Sequence, residues 1–212
     1  MSGPTEVDQL LARAAAIAAA SPRTGPPSGR PLLPAGDGPT TVPRRFQTAA
    51  LDEFDARVAD PLREWASAAP RGRSSVVMLG PAGSGKSRLA AAVCRRVLDR
   101  GPDRVRWWTE ADLLDACRPG GAGEGGARTV EVLVLDDLGA SAPTEWGVAQ
   151  LLAIVDARWR DELPTIATTN CASRVDLADR IGERTVSRLA GGALTLRLSG
   201  ADRRYMRQEG AG

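Results

Sequence analysis

A glycine-rich run, GPAGSGKS at residues 80–87, holds Lys86, the only lysine in a chain of 212 residues. Every other basic side chain is arginine, and histidine is absent. The chemistry this run can do is phosphate binding. The pattern G-x-x-x-x-G-K-S lies between an apolar tetrapeptide, VVML at 76–79, and a helix-forming segment, which is the context of a P-loop. Gly80, Gly83 and Gly85 would let backbone N–H groups of this loop, which also holds Pro81, Ala82 and Ser84, turn inward to approach phosphate oxygens closely. The helix that follows would aim its N-terminus at the same anion. Lys86 is the candidate for the β- and γ-phosphates, Ser87 for a hydroxyl ligand to Mg²⁺, and Arg88 completes the nucleotide-binding run. A compact ammonium on a flexible stem suits this position where a planar guanidinium does not, which explains a lysine retained against an otherwise uniform use of arginine.

A P-loop needs a carboxylate at the end of a neighbouring strand, and VLVLDDLG offers Asp136 and Asp137. The first is placed to hold Mg²⁺ through water. The second is the candidate to orient or deprotonate an attacking water, because a chain without histidine leaves carboxylates as the obvious bases. Two acids before a turn also describe a plain strand end. TIATTN ends in Asn170, which would face the γ-phosphate if its strand lay between the first and third, although asparagine commonly ends strands. Arg184 and Arg188, four apart in IGERTVSRL, share one helical face. They could reach a phosphate in a neighbouring subunit or form an ordinary solvated face.

These groups need elements to hold them. Strand-like VVML (76–79), VRWW (105–108), VEVLVLDD (130–137), TIATTN (165–170) and LTLRL (194–198) alternate with helical segments at 87–99, 110–118, 144–163 and 176–189. That alternation predicts an α/β domain with a mostly parallel sheet covered on both faces. In the long helix, Val148, Leu151, Leu152, Val155 and Trp159 make the expected apolar stripe. The segment 119–129, PGGAGEGGART, reads as a flexible glycine loop. Ahead of the domain, residues 5–20 read as a short Ala-rich helix, and 21–43, with seven prolines, as a disordered linker. The expected division is an arm over 1–43 and a domain over 44–212, with Phe46, Leu51 and Phe54 packing onto the domain behind them.

A net charge of +2 marks no global nucleic-acid binder. Local arginines could still hold a phosphate backbone: Arg95, Arg96 and Arg100 after the P-loop, and Arg203, Arg204 and Arg207 with Tyr205 near the end. Trp107 and Trp108 could stack bases, although a strand position favours the core for at least one of them. Cys94, Cys117 and Cys171 are too far apart for a C-x-x-C site, so reduced thiols in a cytoplasm are expected. No apolar run approaches the roughly 18 residues of a membrane span, and no basic leader precedes Ala14–Ala20.

VLVLDDLG, the helix leading into PTIATTN, and IGERTVSRL together resemble AAA+ ATPases of the DnaC/IstB type, over about Arg44 to Arg204. The resemblance implies an AAA+ core of five parallel strands in the order 5-1-4-3-2, without a C-terminal lid domain. It implies that Lys86 and Ser87 belong to Walker A, Asp136 and Asp137 to Walker B, and that Asn170 is sensor 1. It makes Arg188, then Arg184, the arginine finger offered to a neighbouring subunit in an ATP-dependent homo-oligomer. The closing SGADRRYM is similar to the family's short terminal G-x-D-x-R segment. The implied function is ATP-hydrolysing loading of a replicative DNA helicase, with single-stranded DNA contacted by the core and the helicase gripped by the N-terminal arm. The other reading within the family is a transposition helper acting with a transposase on duplex DNA. Two departures from the pattern stand out. No zinc-binding segment lies N-terminal, and a glycine run stands at 119–129 where loaders often carry a charged helical element. Outside the family, a nucleotide-binding scaffold without useful turnover is opposed by intact Lys86, Asp136, Asp137 and Asn170. A small metabolic kinase would need a lid and an acceptor pocket.

Overall fold

The computed structural model of the protein describes residues 42–68, 74–119 and 123–199. Residues 1–41 of the expected 1–43 arm, and Arg203, Arg204, Tyr205 and Arg207, lie outside the described residues, whereas Val42, expected in the linker, is buried in the domain. From Val42 the chain makes two short 3-10 turns, Arg44–Phe46 and Leu51–Glu53, then α1 (Ala56–Ser67), β1 (Val76–Leu79) and α2 (Lys86–Leu98). A 3-10 turn at Pro102–Arg104 leads to β2 (Val105–Thr109), α3 (Glu110–Ala116), α4 (Gly123–Thr129), β3 (Val132–Asp136) and α5 (Glu145–Arg160). β4 (Thr165–Thr169), α6 (Arg174–Ile181), α7 (Glu183–Ala190) and β5 (Leu194–Arg197) close the domain. The five strands form one sheet in the order β2-β3-β4-β1-β5, every pair parallel, as expected.

Strand alternation divides the core in two. Val76, Met78, Val105, Trp107, Val132, Val134 and Ile166 face α1, α2 and the N-terminal turns. Trp108, Leu133, Leu135 and Ala167 face the layer built from α3 to α7. Both tryptophans are therefore core residues, one on each face of the sheet. The N-terminal turns belong to the first layer: Val42 and Leu51 are buried there, with Phe46 and Phe54 packed against them. The strands between the edges are buried along their whole length, the pattern of a parallel sheet covered on both sides.

Three sequence expectations are corrected. The glycine loop contains a helix, α4. Propensity argues against it, since each interior glycine costs about 1 kcal/mol relative to alanine. Tertiary contacts override this: Ala127 is fully buried, Thr129 Oγ1 donates to Gly125 O, and Arg158 donates to Ala127 O and Val130 O at 2.9 Å each. The helix expected over 176–189 is two helices, broken at Gly182 with φ 87. The apolar stripe of α5 is also rotated: Leu151, Ile154, Val155 and Arg158 are buried, while Trp159 is 46% exposed.

Arg158 is the unexpected member of that face. Its guanidinium is fully buried and also donates to Pro164 O at 2.6 Å, Glu131 O at 3.4 Å and Thr165 Oγ1 at 3.1 Å. One side chain thus ties the end of α4 to the starts of β3 and β4. Burial pushes its pKa down to about 9. Substituting Arg158→Met would take this donor from Ala127 O, Val130 O and Glu131 O, while Pro164 O keeps the Leu133 N–H at 3.4 Å; each carbonyl left unpaired costs about 1–3 kcal/mol before relaxation. Chemical denaturation should register a loss of about 3 kcal/mol, and a loss under about 1 kcal/mol would show that the carbonyls find other donors.

Candidate nucleotide-binding site

The sheet brings the sequence candidates to one edge. Register pairs Leu79 with Thr169, so the residues that follow, Gly80 and Asn170, leave adjacent strands side by side. β4 does lie between β1 and β3, the condition on which Asn170 could face a phosphate. α2 starts at Lys86 behind Gly85, which has φ 98 and offers no side-chain cap. No side-chain cap therefore competes with an anion at this helix start, whereas α3, α5 and α6 are capped by Thr109, Thr144 and Ser173.

Lys86 is 4% exposed, and its Nζ donates to Gly80 O and Pro81 O at 2.8 Å and to Asn170 Oδ1 at 2.9 Å. Asn170 Nδ2 in turn lies 3.4 Å from Asp137 Oδ1. Ser87 Oγ donates to Asp136 Oδ1 at 2.8 Å, and Thr168 Oγ1 donates to the same oxygen at 2.6 Å. Burial raises the pKa of Asp136, and the hydroxyls of Thr168 and Ser87 oppose the rise. A carboxylate that the protein interior disfavours as an anion, next to a serine hydroxyl, is a hard oxygen pair suited to a divalent cation. Mg²⁺ uses one or two protein oxygens and takes the rest from phosphate and water, a demand that the Ser87 hydroxyl and the Asp136 carboxylate could meet.

Lys86, Ser87, Asp136, Asp137 and Asn170 therefore converge. Arg88 does not join them: its guanidinium pairs with Glu53 at 2.5 and 2.8 Å, tying the N-terminal turns to α2. Phe54 from the same segment lies 3.8 Å from where a Cβ on Gly85 would sit. Arg184 and Arg188 lie on α7, where with Glu183 and Ser187 they line a surface depression. Arg188 Nε contacts Asp156 at 3.2 Å, and its guanidinium lies 3.7 Å over the Trp159 ring. Two of the arginines considered for nucleic acid, both exposed, are held by hydrogen bonds to the domain itself. Arg95 donates to Ala49 O, and Arg100 to Ala68 O and Glu131.

Thr168 is the residue that sequence reasoning undervalued. Its hydroxyl serves both Walker-type acids, accepting from Asp137 N at 3.1 Å while donating to Asp136. The available signal was polar residues in a central strand, but Thr165, Thr168 and Thr169 shared it and nothing singled out Thr168. Gly80 is constrained by a different neighbour: at φ 149, a Cβ there would come 2.2 Å from Leu198 O, which follows β5. Gly80→Ala must therefore push β5 off β1. A drop in melting temperature of several degrees, corresponding to about 2 kcal/mol, is expected, and an unchanged value would contradict this contact.

The geometry has counterparts among known proteins. The family model described as IstB-like ATP binding protein matches residues 47–175, more than half of the chain. The replicative helicase loader DnaC of Escherichia coli K12 is 29% identical over 147 residues, covering 66% of this chain and 53% of that protein. The loader of Shigella flexneri matches equally. The chain thus spans about half the length of these curated relatives. Among solved structures, a crystal structure of the DnaC helicase loader superposes with a TM-score of 0.66 at 24% identity, covering 74% of this chain and 99% of that one. AMPPCP-bound DnaA from Aquifex aeolicus gives 0.63 at 21% identity, covering 80% and 55%. These two show the shared fold. Among the described residues no helix is long and apolar enough to cross a membrane.

Proposed function

The chain belongs to the family of IstB-like ATP-binding proteins, and on that premise we propose that it is an ATPase that loads a replicative DNA helicase. The observation that carries the ATPase part is the convergence of Lys86, Asn170 and Asp137 on one side and Ser87 with Asp136 on the other. Lys86 binds the β- and γ-phosphates, exchanging its carbonyl partners for phosphate oxygens. Ser87 and Asp136 hold Mg²⁺, which supplies charge neutralisation on the phosphates when bound. Asn170 and Asp137 position the attacking water, with Asp137 as its base. Asp136 must be ionised to serve the cation, and the drive toward ionisation comes from the Ser87 and Thr168 hydroxyls. Arg188, or Arg184 beside it, completes the site of the next subunit. A head-to-tail contact of this kind builds rings or spirals.

The loader reading draws on the likeness to the DnaC helicase loader. In it, residues 1–43 form the helicase-binding arm and 44–212 the ATPase domain, working in the cytoplasm with single-stranded DNA. A second reading, a transposition helper acting with a transposase on duplex DNA, is favoured by the family model itself, whose description names IstB. Light-scattering mass after size exclusion, with ATP and Mg²⁺ and the host's replicative helicase, separates the two. A co-eluting complex that is lost when residues 1–41 are removed, which leaves the buried Val42 in place, supports the loader and its arm. The absence of a complex, at concentrations where ATP is hydrolysed, overturns the loader in favour of the second reading.

A further inference from the structure

Four successive backbone N–H groups follow β3, and each has an acceptor. Asp137 N donates to Thr168 Oγ1 at 3.1 Å and Leu138 N to Thr168 O at 2.8 Å. Gly139 N donates to Glu110 Oε2 at 2.5 Å, and Ala140 N to Asp137 O at 3.2 Å. The turn they define holds Asp137 at φ 55 and Gly139 at φ 79. The left-handed region costs most non-glycine residues about 1–2 kcal/mol and Asp less, and the anchors of this turn hold Asp137 there.

Two of the four anchors come from β4 and one lies within the turn. The fourth is Glu110, the first residue of α3, just past Thr109, which pairs with Asp136 in the sheet. Glu110 is 5% exposed. A carboxylate that deep is costly unless it is hydrogen-bonded, and an alanine there would carry no desolvation penalty. Burial raises its pKa, while the Gly139 N–H and the charge of Arg180 pull it back. The turn has little room to find another position. A Cβ on Gly139 would lie 3.1 Å from Leu177 Cδ1 and 3.4 Å from both Arg180 Cβ and Cys171 Sγ. Glu110 on one side and α6 on the other therefore grip the residue two places beyond Asp137.

We propose that Glu110 is a positioning residue for ATP turnover: by holding the Gly139 N–H it fixes the turn that keeps the Asp137 carboxylate beside Asn170. The proposal rests on the reading that the chain hydrolyses ATP. Glu110 acts through Asp137 and not on the nucleotide, so it should affect the chemical step and spare binding.

The test compares Glu110→Ala, Glu110→Gln and Glu110→Asp in the full chain. Phosphate release is measured alongside equilibrium binding of a fluorescent ADP. Glu110→Ala should lower kcat about ten- to a hundredfold, the range for a misplaced catalytic group, with KM and ADP affinity within about twofold. Glu110→Gln keeps an acceptor oxygen in place and should restore kcat. Glu110→Asp is one methylene short and should fall between them, and it carries the test if the alanine variant does not fold. In ¹⁵N-labelled protein the Gly139 amide should resonate downfield and exchange slowly in wild type and Glu110→Gln, and lose both properties in Glu110→Ala. An unmoved Gly139 amide overturns the contact, whatever the turnover. A moved amide with unchanged kcat overturns the positioning role and leaves a structural one. A wild type without phosphate release removes the ATPase reading and this role together, whereas a wild type that turns over no faster than Glu110→Ala removes this role alone.

Discussion

Replacing Lys86 by alanine is expected to weaken ATP binding about a hundredfold and to reduce turnover to background. Lys86 is 4% exposed, and its ammonium group sits among Gly80 O, Pro81 O and Asn170 Oδ1. All three lie at the junction of β1 and β4, where the terminal phosphates of a bound nucleotide would be. A hydrogen bond to a charged group contributes about 1.5–3 kcal/mol, so losing contacts to two phosphates removes about 3–6 kcal/mol, part from binding and the rest from the transition state. Lys86→Arg is the sharper variant. Its guanidinium keeps the charge but is planar and bulkier, and the buried slot between the two carbonyls and Asn170 is shaped for a compact head. Lys86→Arg should fail nearly as badly as the alanine variant. Titration of both variants with ATP and Mg²⁺ decides the point, because full activity in Lys86→Arg would mean that charge alone is required at this position.

Arg188→Ala is expected to leave ATP affinity unchanged and to lower kcat by about a thousandfold, the scale on which an arginine finger acts. In the isolated chain this side chain is held by Asp156 and lies over Trp159, on a helix whose exposed face also presents Arg184. With 35% of its side chain exposed, the ion pair with Asp156 is a weak tether of under about 1 kcal/mol, and it does not prevent the guanidinium from reaching a neighbour. If the finger acts in trans, mixing Arg188→Ala with Lys86→Ala chains should recover activity. Junctions form in which an intact P-loop meets an intact finger, although each variant alone is inactive. Normal turnover in Arg188→Ala would transfer the role to Arg184 or remove it from α7. Inactive mixtures would contradict the trans arrangement.

Much of this site was readable as sequence because its parts are local. The P-loop, the paired acids and the asparagine each end a strand, and a parallel sheet puts the ends of its strands on one edge. The strand order followed from the family likeness, and hydrophobic periodicity supplied the element types. What escaped had long-range causes. α4 is helical because Arg158 reaches Ala127 and Val130 from another helix, and no window around three glycines contains that information. Arg158 itself, one residue from the Trp159 expected at the core, reversed the assignment of the α5 face. Arg88 belonged to the right motif but pairs with Glu53, 35 residues earlier. Glu110 meets Gly139 across 29 residues of chain with no spacing pattern to signal it.

An ATPase whose site is completed by a second copy of the chain must depend on its own concentration, which is read from phosphate release per chain with saturating ATP and Mg²⁺ across a wide range of protein concentration. Completion by a neighbour predicts that turnover per chain climbs from near zero in dilute protein to a plateau, and that Arg188→Ala stays low throughout. Turnover per chain that is constant over the whole range, or no phosphate release at any concentration, would contradict it.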